Sequence, residues 1–313
     1  MLNFLIRRIL LLALTLLLAS MVVFVLTQLL PGDVARLILG REAQEASLAA
    51  LREELGLNDP IPVQYVNWLT GFINGDWGTA FTGGRAPIRP LVMDRLGNSL
   101  TLAALTLAIS IPLSLLLGVL AGLRENSWID SAISVLTLSV VGLPEFVTGL
   151  VLINVFALGL GAFPASAAPG NTLGETIRNL LLPALAATFV LMAYVVRMTR
   201  AGVIDELKKP YVRTAILKGL PQRQIILKHV LRNALLPTIT VIAISFGWLI
   251  GGLIVIENVF SYPGLGRLMT AAVERKDIPL MQAVVMVVIF FFAVSNLLAD
   301  IVYALLNPRI RLE

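Results

Sequence analysis

Apolar residues along this chain fall in long, nearly uninterrupted blocks, whereas a soluble amphipathic helix shows them as a stripe that repeats about every 3.6 residues. About 20 helical residues cross a bilayer core about 30 Å thick. The blocks that reach this length lie at residues 9–30, 100–122, 133–160, 180–198, 235–256 and 278–306. The pattern therefore predicts an all-α integral membrane protein that crosses the bilayer six times.

The first block is predicted to be a retained transmembrane helix. It follows Arg7 and Arg8, as the apolar core of a secretory signal would, but it is longer than the usual core of about 7–15 residues. The sequence LTQLLPGD at its end has no small-residue cleavage site. A signal peptide that is removed is therefore the weaker interpretation.

The positions of the blocks divide the chain into four parts. These are the first crossing at residues 1–30, an external segment at 31–98, a five-helix core at 99–306 and a tail at 307–313. Within the external segment, Leu48, Leu51 and Leu55 recur at helical spacing. A second amphipathic stretch follows at residues 64–73. We therefore expect the external segment to be an ordered helical cap.

Basic residues indicate which side of the membrane holds the termini, because Lys and Arg collect in short cytoplasmic loops. Six crossings place both termini on one side. The basic residues that would share this side are Arg7, Arg8, Arg124, Arg197, Arg200, Lys208, Lys209, Arg213, Lys218, Arg223, Lys228, Arg232, Arg309 and Arg311. The short loops opposite hold Arg178, Arg267, Arg275 and Lys276. We therefore expect both termini, and a loop at residues 201–234, in the cytoplasm.

Composition agrees with the membrane prediction and removes several kinds of chemistry. Hydrophobic residues make up 58% of the 313 positions and charged residues 14%, against about 45–50% and about 25% in soluble domains. The absence of cysteine excludes disulfides, thiolate nucleophiles and cysteine metal sites. The net charge of +5 comes from residues beside the apolar blocks, so we expect no nucleic-acid partner.

Several predicted spans contain residues that disturb helices. These residues are Pro112, Gly142, Pro144 and the GWLIGG run at positions 247–252. Gly118 and Gly122 have the GxxxG spacing of closely packed membrane helices. We favour close packing over hinging as their role, although a hinge would suit a protein that opens alternately to the two sides.

The loop between the fourth and fifth spans is the most informative segment, with the sequence RAGVIDELKKPYVRTAILKGLPQRQIILKHVLRNALLP at residues 200–237. It is too long for a simple helix connection and too apolar for a flexible tail. Residues 211–218 can form a helix, Gly219 can end it in the left-handed conformation, and Pro221 suits the first turn of a second helix. We predict two short helices that meet at a Gly-Leu-Pro elbow.

The first of these helices has a surface suited to a protein partner. Ala215 and Gly219 lie four residues apart and would leave a shallow notch on one face, with basic residues around it. Such a helix can insert into a partner's groove and transmit a rigid-body movement. The alternative from spacing alone is an amphipathic helix that lies on anionic lipid.

The sequence RTAILKGLPQRQIILKHVLRNALLP resembles the coupling loop in permeases of ATP-binding-cassette (ABC) importers. Arg213 and Thr214 replace the Glu-Ala that begins the general pattern, and this replacement is similar to the peptide-importer branch. Further motifs resemble the B-type permeases of dipeptide, oligopeptide and nickel importers. In chain order they are LLPGD at residues 29–33, LGLNDPIPVQYVNWL from Leu55, GDWG from Gly75, ENVFSYPGLGRL at 257–268 and NPRIR at 307–311.

The resemblance implies a six-helix type I ABC importer permease bundle with an external helical segment between the first and second spans. It implies a multi-pass protein of the bacterial inner membrane that forms half of a translocation pathway. The implied partners are a homologous second permease, two ATPase subunits, an extracytoplasmic substrate-binding protein and membrane lipid. The implied ATPase contacts are Arg213, Thr214, Ala215, Lys218, Gly219, Leu220 and Pro221.

The cargo implied by the resemblance is a dipeptide or oligopeptide. Nickel chelates, glutathione and oligosaccharides use similar permeases and stay as alternatives. In such importers the separate binding protein usually sets the selectivity, so this chain alone does not name the cargo.

The sequence contains no motif for catalysis or for a cofactor. A phosphate-binding loop of the type G-x-x-x-x-G-K-[ST] does not occur, so ATP and Mg²⁺ would bind the partner ATPases. His229 is the only histidine, which leaves no histidine metal cluster. We therefore predict no catalytic residue, no metal site and no enzyme activity in this chain.

Two acidic residues fall within predicted spans. Asp300 lies near the cytoplasmic end of its span and can reach water. Glu145, next to Pro144, is the candidate for lining the pathway, where it would meet either the amino group of a cargo or a partner charge within the complex. A secondary transporter driven by protons or sodium would need several such groups and is the more remote alternative.

Overall fold

The computed structural model describes residues 2–29, 34–40, 42–54, 56–81 and 84–306. Within these ranges the regular structure is helical, apart from one antiparallel bridge between Thr79 and Pro87. Residues 30–33 of the LLPGD motif, Leu55, and the predicted tail with its NPRIR motif lie outside the described residues.

The helices follow one another along the chain with short connections. They are α1 (Leu2–Gln28), α2 (Val34–Leu39), α3 (Glu45–Glu54), α4 (Ile61–Asn74), α5 (Ile88–Leu123), α6 (Trp128–Val141), α7 (Glu145–Leu152, continued by a π-helix at Ile153–Gly159), α8 (Leu173–Leu207), α9 (Pro210–Leu217), α10 (Gln222–Gln224, continued by a π-helix at Ile225–Val230), α11 (Leu231–Ala234), α12 (Leu236–Val259), α13 (Leu265–Glu274) and α14 (Ile278–Leu306).

The candidate spans overlap all six apolar blocks, although the bent pair at residues 222–247 begins before the fifth block, which starts at residue 235. Helices α1, α5, α8 and α14 are each long and apolar enough to cross a bilayer, and two bent helix pairs give six spans if each pair counts as one. Helices α5 and α8 contain 36 and 35 residues, which corresponds to about 52–54 Å at a rise of about 1.5 Å per residue. They exceed the predicted spans because polar residues continue each helix beyond its apolar block.

The third predicted span is not one helix. Helix α6 ends at Val141, α7 begins at Glu145, and the two helical segments are bent by 105°. A Cβ on Gly142 would meet only carbonyl oxygens of α6, and Pro144 has an extended backbone with φ −58° and ψ 140°. Close packing is therefore the wrong interpretation of Gly142 and Pro144, because these residues redirect the chain.

The surroundings of Gly118 and Gly122 confirm the prediction that these residues allow α5 to pack closely against another helix. A Cβ on Gly118 would lie 2.5 Å from the Cβ of Thr199 and 2.8 Å from the carbonyl oxygen of Val196. A Cβ on Gly122 would lie 2.8 Å from the Cβ of Val203. Helix α5 therefore approaches α8 at distances that only glycine permits.

One compact unit contains Ser99–Pro263 and residues 294–306. Its core forms where α5, α8 and α12 meet. The largest fully buried side chains there are Leu102, Leu180, Leu182, Leu249, Leu253, Ile256, Phe260 and Tyr262. Helix α8 is central to this unit, because it packs against α6, α7, α11 and α12 and because 67% of its most apolar stretch is buried.

Hydroxyl side chains fix two helix starts in this unit. Ser127 Oγ accepts a hydrogen bond from the backbone N–H of Asp130 at 3.3 Å, and Thr172 caps α8 in the same way. The buried Asp130 carboxylate also accepts two hydrogen bonds from the guanidinium of Arg200, at 2.5 and 2.7 Å. This ion pair joins the start of α6 to α8.

The ENVFSYPGLGRL motif turns the chain at the end of α12. The backbone N–H of Tyr262 donates to the carbonyl of Glu257 at 2.8 Å, and Ser99 Oγ donates to the Glu257 carboxylate at 2.5 Å. Burial of Tyr262, with a smaller contribution from the Glu257 charge, raises the pKa of Tyr262 to about 12. The predicted tight turn is therefore held by buried polar contacts.

A second compact unit contains Leu2–Asn98 and Gly264–Ala293. In this unit α4 packs on α1 through aromatic rings, since the ring centroid of Phe24 lies 5.4 Å from that of Tyr65 and 5.7 Å from that of Trp68. The hydroxyl of Tyr65 also forms a 2.8 Å hydrogen bond with Ser20. The second external helix therefore packs on the first span through aromatic contacts. It begins at Ile61 rather than at residue 64.

The first predicted external helix is also present, as α3. Leu48 and Leu51 are buried against Ala35 of α2, which explains their helical spacing in the sequence. Leu55, the third member of that predicted stripe, is not among the described residues. The external segment is therefore ordered and helical over the described part of α2, α3 and α4.

Replacement of Gly118 by alanine is expected to destabilise the contact between α5 and α8, because the added methyl group would overlap with Thr199. Overpacking of this kind costs about 1–3 kcal/mol. Unfolding of the purified protein by SDS in mixed micelles measures the change. Gly251→Ala in α12 is the matched control, since a Cβ there meets no atom within 4 Å. Equal stability of the two variants would contradict the close contact.

Candidate functional site

The predicted elbow lies between α9 and α10. Gly219 has φ +72°, and its N–H donates to the carbonyl of Ile216 at 2.9 Å. The N–H of Leu220 donates to the carbonyl of Ala215 at 3.3 Å. These two bonds form a Schellman motif, which ends α9 and satisfies two of its last carbonyl groups. Gly219 is therefore required here by backbone geometry.

Residues 210–234, from the start of α9 to the end of α11, form a helical hairpin. Its second half differs slightly from the prediction. Pro221 is the residue before α10, with φ −64° and ψ 138°, rather than a member of its first helical turn. From Gln222 the chain stays helical through α10, the π-helix and α11 to Ala234. The hairpin therefore consists of the two-turn helix α9 and a longer helical arm at residues 222–234.

The face of α9 that carries Ala215 is covered by the chain itself. Ala215 is buried in a cluster with Val203 of α8 and with residues of both hairpin helices, and Leu220 packs against it. The full buried cluster is Val203, Val212, Ala215, Ile225, Val230 and Ala234. The prediction of an open notch between Ala215 and Gly219 is therefore wrong, because Ala215 belongs to the interior of the hairpin.

The rest of the surface of α9 is open to the surroundings. Two large apolar side chains lie there, Ile216 with 61% and Leu217 with 80% of its surface exposed. The exposed predicted residues beside them are Arg213, Thr214, Lys218, Gly219 and Pro221. Sequence reasoning missed Ile216 and Leu217, although the helical phase of Leu217, opposite to Val212 and Ala215, was a signal that could have found it.

Glu206, near the end of α8, anchors the base of the hairpin. Its carboxylate is nearly buried, with 5% of the residue exposed. One oxygen accepts hydrogen bonds from the hydroxyl of Tyr211 at 2.7 Å and from the amide of Asn233 at 3.1 Å. The other oxygen pairs with the ammonium of Lys209 at 2.5 Å. One acid therefore joins α8 to α9 and to α11.

Two further contacts stiffen this anchor. Burial raises the pKa of Tyr211, and its hydrogen bond to the Glu206 carboxylate raises it further, so the hydroxyl remains a proton donor at neutral pH. A Cβ on Gly202 would lie 2.4 Å from the carbonyl oxygen of Ala234, so α8 and α11 touch through their backbones. Sequence reasoning missed this anchor, because the sequence does not show that Asn233 returns to Glu206.

Glu145 lies in a cavity next to the break between α6 and α7. The cavity has a volume of about 540 Å³, and its walls come from α6, α7, α8 and α12. Val141, Leu191, Tyr194 and Ile244 are among the lining residues. The predicted pathway residue is therefore the first residue of α7, half-buried and facing a mainly apolar space.

A smaller cavity of about 270 Å³ adjoins the first, since Tyr194 and Val241 line both. Its other lining residues are Arg197, Met198 and Ala201 of α8. Arg197, which sequence reasoning assigned only to the cytoplasmic charge bias, therefore lies one helical turn from Tyr194 beside the cavity that contains Glu145.

Replacement of Glu206 by alanine is expected to loosen the hairpin without unfolding α8, because it leaves the Tyr211 hydroxyl and the Asn233 amide without their acceptor. A buried polar group that loses its partner costs about 1–3 kcal/mol, which is about tenfold or more in a local opening equilibrium. Hydrogen–deuterium exchange of residues 210–217 and 231–234 measures the effect. Asp205→Ala, an exposed neighbour, is the control. Unchanged exchange in the Glu206 variant would show that the anchor is not required.

The chain matches known transport proteins along nearly its whole length. The family model "Binding-protein-dependent transport system inner membrane component" matches residues 114–312, and "Binding-prot-dependent transport system membrane comp, N-term" matches residues 1–103. The glutathione transport system permease protein GsiC of Pectobacterium atrosepticum is 38% identical over 311 residues, 99% of each chain. The GsiC proteins of Escherichia coli K12 and Salmonella typhimurium LT2 are 36% identical over the same share. The chain therefore belongs to the binding-protein-dependent inner-membrane transport components, the permease subunits of ABC importers with the six-helix type I fold.

Proposed function

We propose that this permease forms half of the translocation pathway for a small amino-acid-derived solute, and that α9 couples the pathway to ATP hydrolysis by a partner subunit. The observation that carries the proposal is the exposed apolar pair Ile216 and Leu217 at the tip of a rigid hairpin. Exposed apolar side chains of this size mark a contact surface when they stand together beside charged residues. The adjacent Arg213 and Lys218 supply the charges.

The cargo best supported is glutathione or a solute of similar chemistry. Relatives that align over 99% of this chain are named glutathione transport system permeases. These names favour glutathione, which was an alternative from the sequence, over the dipeptides and oligopeptides that the motif resemblance placed first. Glutathione is itself a modified tripeptide, so the two cargo classes share a free ammonium group and free carboxylates.

The partners follow from the role of a single permease subunit. A homologous second permease would complete the pathway, two ATPase subunits would bind ATP and Mg²⁺, and an extracytoplasmic protein would deliver the cargo. This chain would bind no cofactor and catalyse no reaction. Both termini would lie in the cytoplasm, as the distribution of Lys and Arg indicates.

Coupling would follow from the rigid attachment of the hairpin to α8. ATP binding would close the ATPase pair, and the groove that holds α9 would move with it. Because Glu206 and the contact at Gly202 fix the hairpin to α8, this movement would be transmitted to α8. Helix α8 also forms a wall of the cavity at Glu145, so the same movement would reshape the pathway.

Replacement of Leu217 by aspartate is expected to weaken association with the ATPase subunits at least about tenfold, because burial of a leucine side chain contributes about 1.5–3 kcal/mol. Co-purification of the ATPases with the membrane-inserted permease measures the effect. Leu173→Asp is the matched control, since Leu173 is 78% exposed at the first residue of α8.

Undiminished ATPase association of the Leu217 variant would contradict the docking surface. Loss of vesicle binding by the hairpin, with the ATPase still bound, would instead support the lipid-surface alternative.

Gly219→Leu offers an independent check, because the left-handed conformation at this residue disfavours any side chain. We expect that variant to insert normally and to lose ATP-dependent uptake.

The external segment at residues 31–98 would meet the binding protein. Support comes from its ordered helices, since α3 is held on α2 by Leu48 and Leu51 and α4 is held on α1 by aromatic contacts. Deletion of residues 42–56, which removes α3, is expected to reduce docking of the loaded binding protein at least about tenfold. Surface plasmon resonance on the reconstituted complex measures docking. Retained ATPase association would show that the variant is folded, and undiminished docking would count against the proposal.

A further inference from the structure

Glu145 and Arg197 are charged side chains without a partner in the described part of the chain. No hydrogen bond or ion pair joins either group to any described residue. Glu145 lies inside a predicted span, where an unpaired charge is costly and marks a functional site by default, and Arg197 lies at the expected cytoplasmic end of the next predicted span. The two charges have opposite signs and lie in adjoining cavities.

Two buried acids of the same unit are paired within the chain. Asp130 accepts two hydrogen bonds from Arg200, and Glu206 accepts from Tyr211 and Asn233 while it pairs with Lys209. These contacts join helices and have a structural role. Glu145 lacks any contact of this kind, so a purely structural role does not explain why an acid stands at the start of α7.

The two cavities offer a continuous wall between the charges. Tyr194 and Val241 line both, and Tyr194 has 57% of its surface exposed. Arg197 follows Tyr194 by three residues, which is about 4.5 Å along the axis of α8. Glu145 lines the first cavity from α7, at the break after Pro144. The two charges therefore line adjoining cavities that share the side chain of Tyr194.

We propose that Glu145, Tyr194 and Arg197 form a dipolar track that selects zwitterionic, amino-acid-derived cargo. Glu145 accepts hydrogen bonds from the ammonium group, and Arg197 donates two parallel hydrogen bonds to a carboxylate. The face of Tyr194 attracts the ammonium group as it passes. This inference rests on the proposed function, because it requires that the cavities belong to the translocation pathway.

Uptake by the complete importer in proteoliposomes tests the track. The cargo is glutathione or dialanine, whichever the wild-type complex transports faster, together with its N-acetyl derivative and its C-terminal amide. Glu145→Gln is expected to lower uptake of the free-amine cargo about tenfold and to leave uptake of the N-acetyl form within about twofold. Arg197→Gln is expected to lower uptake of the cargo with a free carboxylate about tenfold and to leave uptake of the C-terminal amide within about twofold. Asp205→Asn and Arg178→Gln are matched controls on α8, exposed and outside both cavities.

Thiol labelling gives a second readout that does not depend on transport. The chain has no cysteine, so Ser245→Cys places one reactive thiol in the cavity that contains Glu145. A cationic methanethiosulfonate reagent is expected to modify this thiol about tenfold faster than an anionic one, because the Glu145 carboxylate attracts cations. Addition of Glu145→Gln is expected to bring the two rates together. Mass spectrometry of this subunit within the assembled complex measures both rates.

The outcomes separate this inference from the proposed function. Two uptake results would overturn the track: an equal loss of uptake for the unmodified cargo and its N-acetyl or amide form, and no loss for either. A thiol introduced by Ser245→Cys that neither reagent modifies would also overturn it. A reagent preference that survives Glu145→Gln would also overturn it. Uptake that needs neither ATP nor the ATPase subunits would contradict the proposed function itself. ATP-dependent uptake that is unchanged by Glu145→Gln and by Arg197→Gln would contradict the track and leave the proposed function intact.

Discussion

The central constraint in this permease is the continuity of α8. Its 35 residues form one helix that carries a cavity wall at Tyr194, an ion pair at Arg200 and the hairpin anchor at Glu206. Pro183, which cannot donate a backbone hydrogen bond, lies about three turns before Tyr194, so the part of α8 from Tyr194 to Glu206 contains no proline and displacement at one of its ends is felt at the other. The coupling role proposed for the hairpin and the pathway role proposed for the cavity both depend on this stiffness.

The contacts of α8 show how stiffness and movement coexist. Glycines at positions 118, 122 and 202 bring α5 and α11 against it without intervening side chains, which leaves few rotamers free at those contacts. The face toward Glu145 is different, because it borders open space rather than packed side chains. Rigid packing on one side and space on the other allow a helix to move as a body.

Much of the fold could be predicted from the sequence. A membrane span must form its backbone hydrogen bonds within its own helix and expose apolar side chains to lipid, so it is visible in the sequence as a long apolar block. The elbow was predictable for a local reason, since Gly219 can adopt a positive φ without strain. The 105° break was missed, because Gly142 and Pro144 are compatible with both a packed helix and a broken one. The burial of Ala215, the partners of Glu206 and the neighbourhood of Arg197 depend on contacts between distant segments, which residue spacing does not encode.

The break between α6 and α7 has a consequence for ion leakage. A helix end leaves backbone carbonyl or N–H groups without intrahelical partners, and in hydrocarbon each such group costs several kcal/mol. Water that reaches the break to satisfy such groups would also enter the mainly apolar space beside Val141 and Glu145. A hydrated pocket inside the membrane conducts protons and small ions unless a dry constriction closes it on one side. The resting importer would then need an insulating seal elsewhere, and the tightly packed apolar contacts of α5 and α12 with α8 are of the kind that can exclude water.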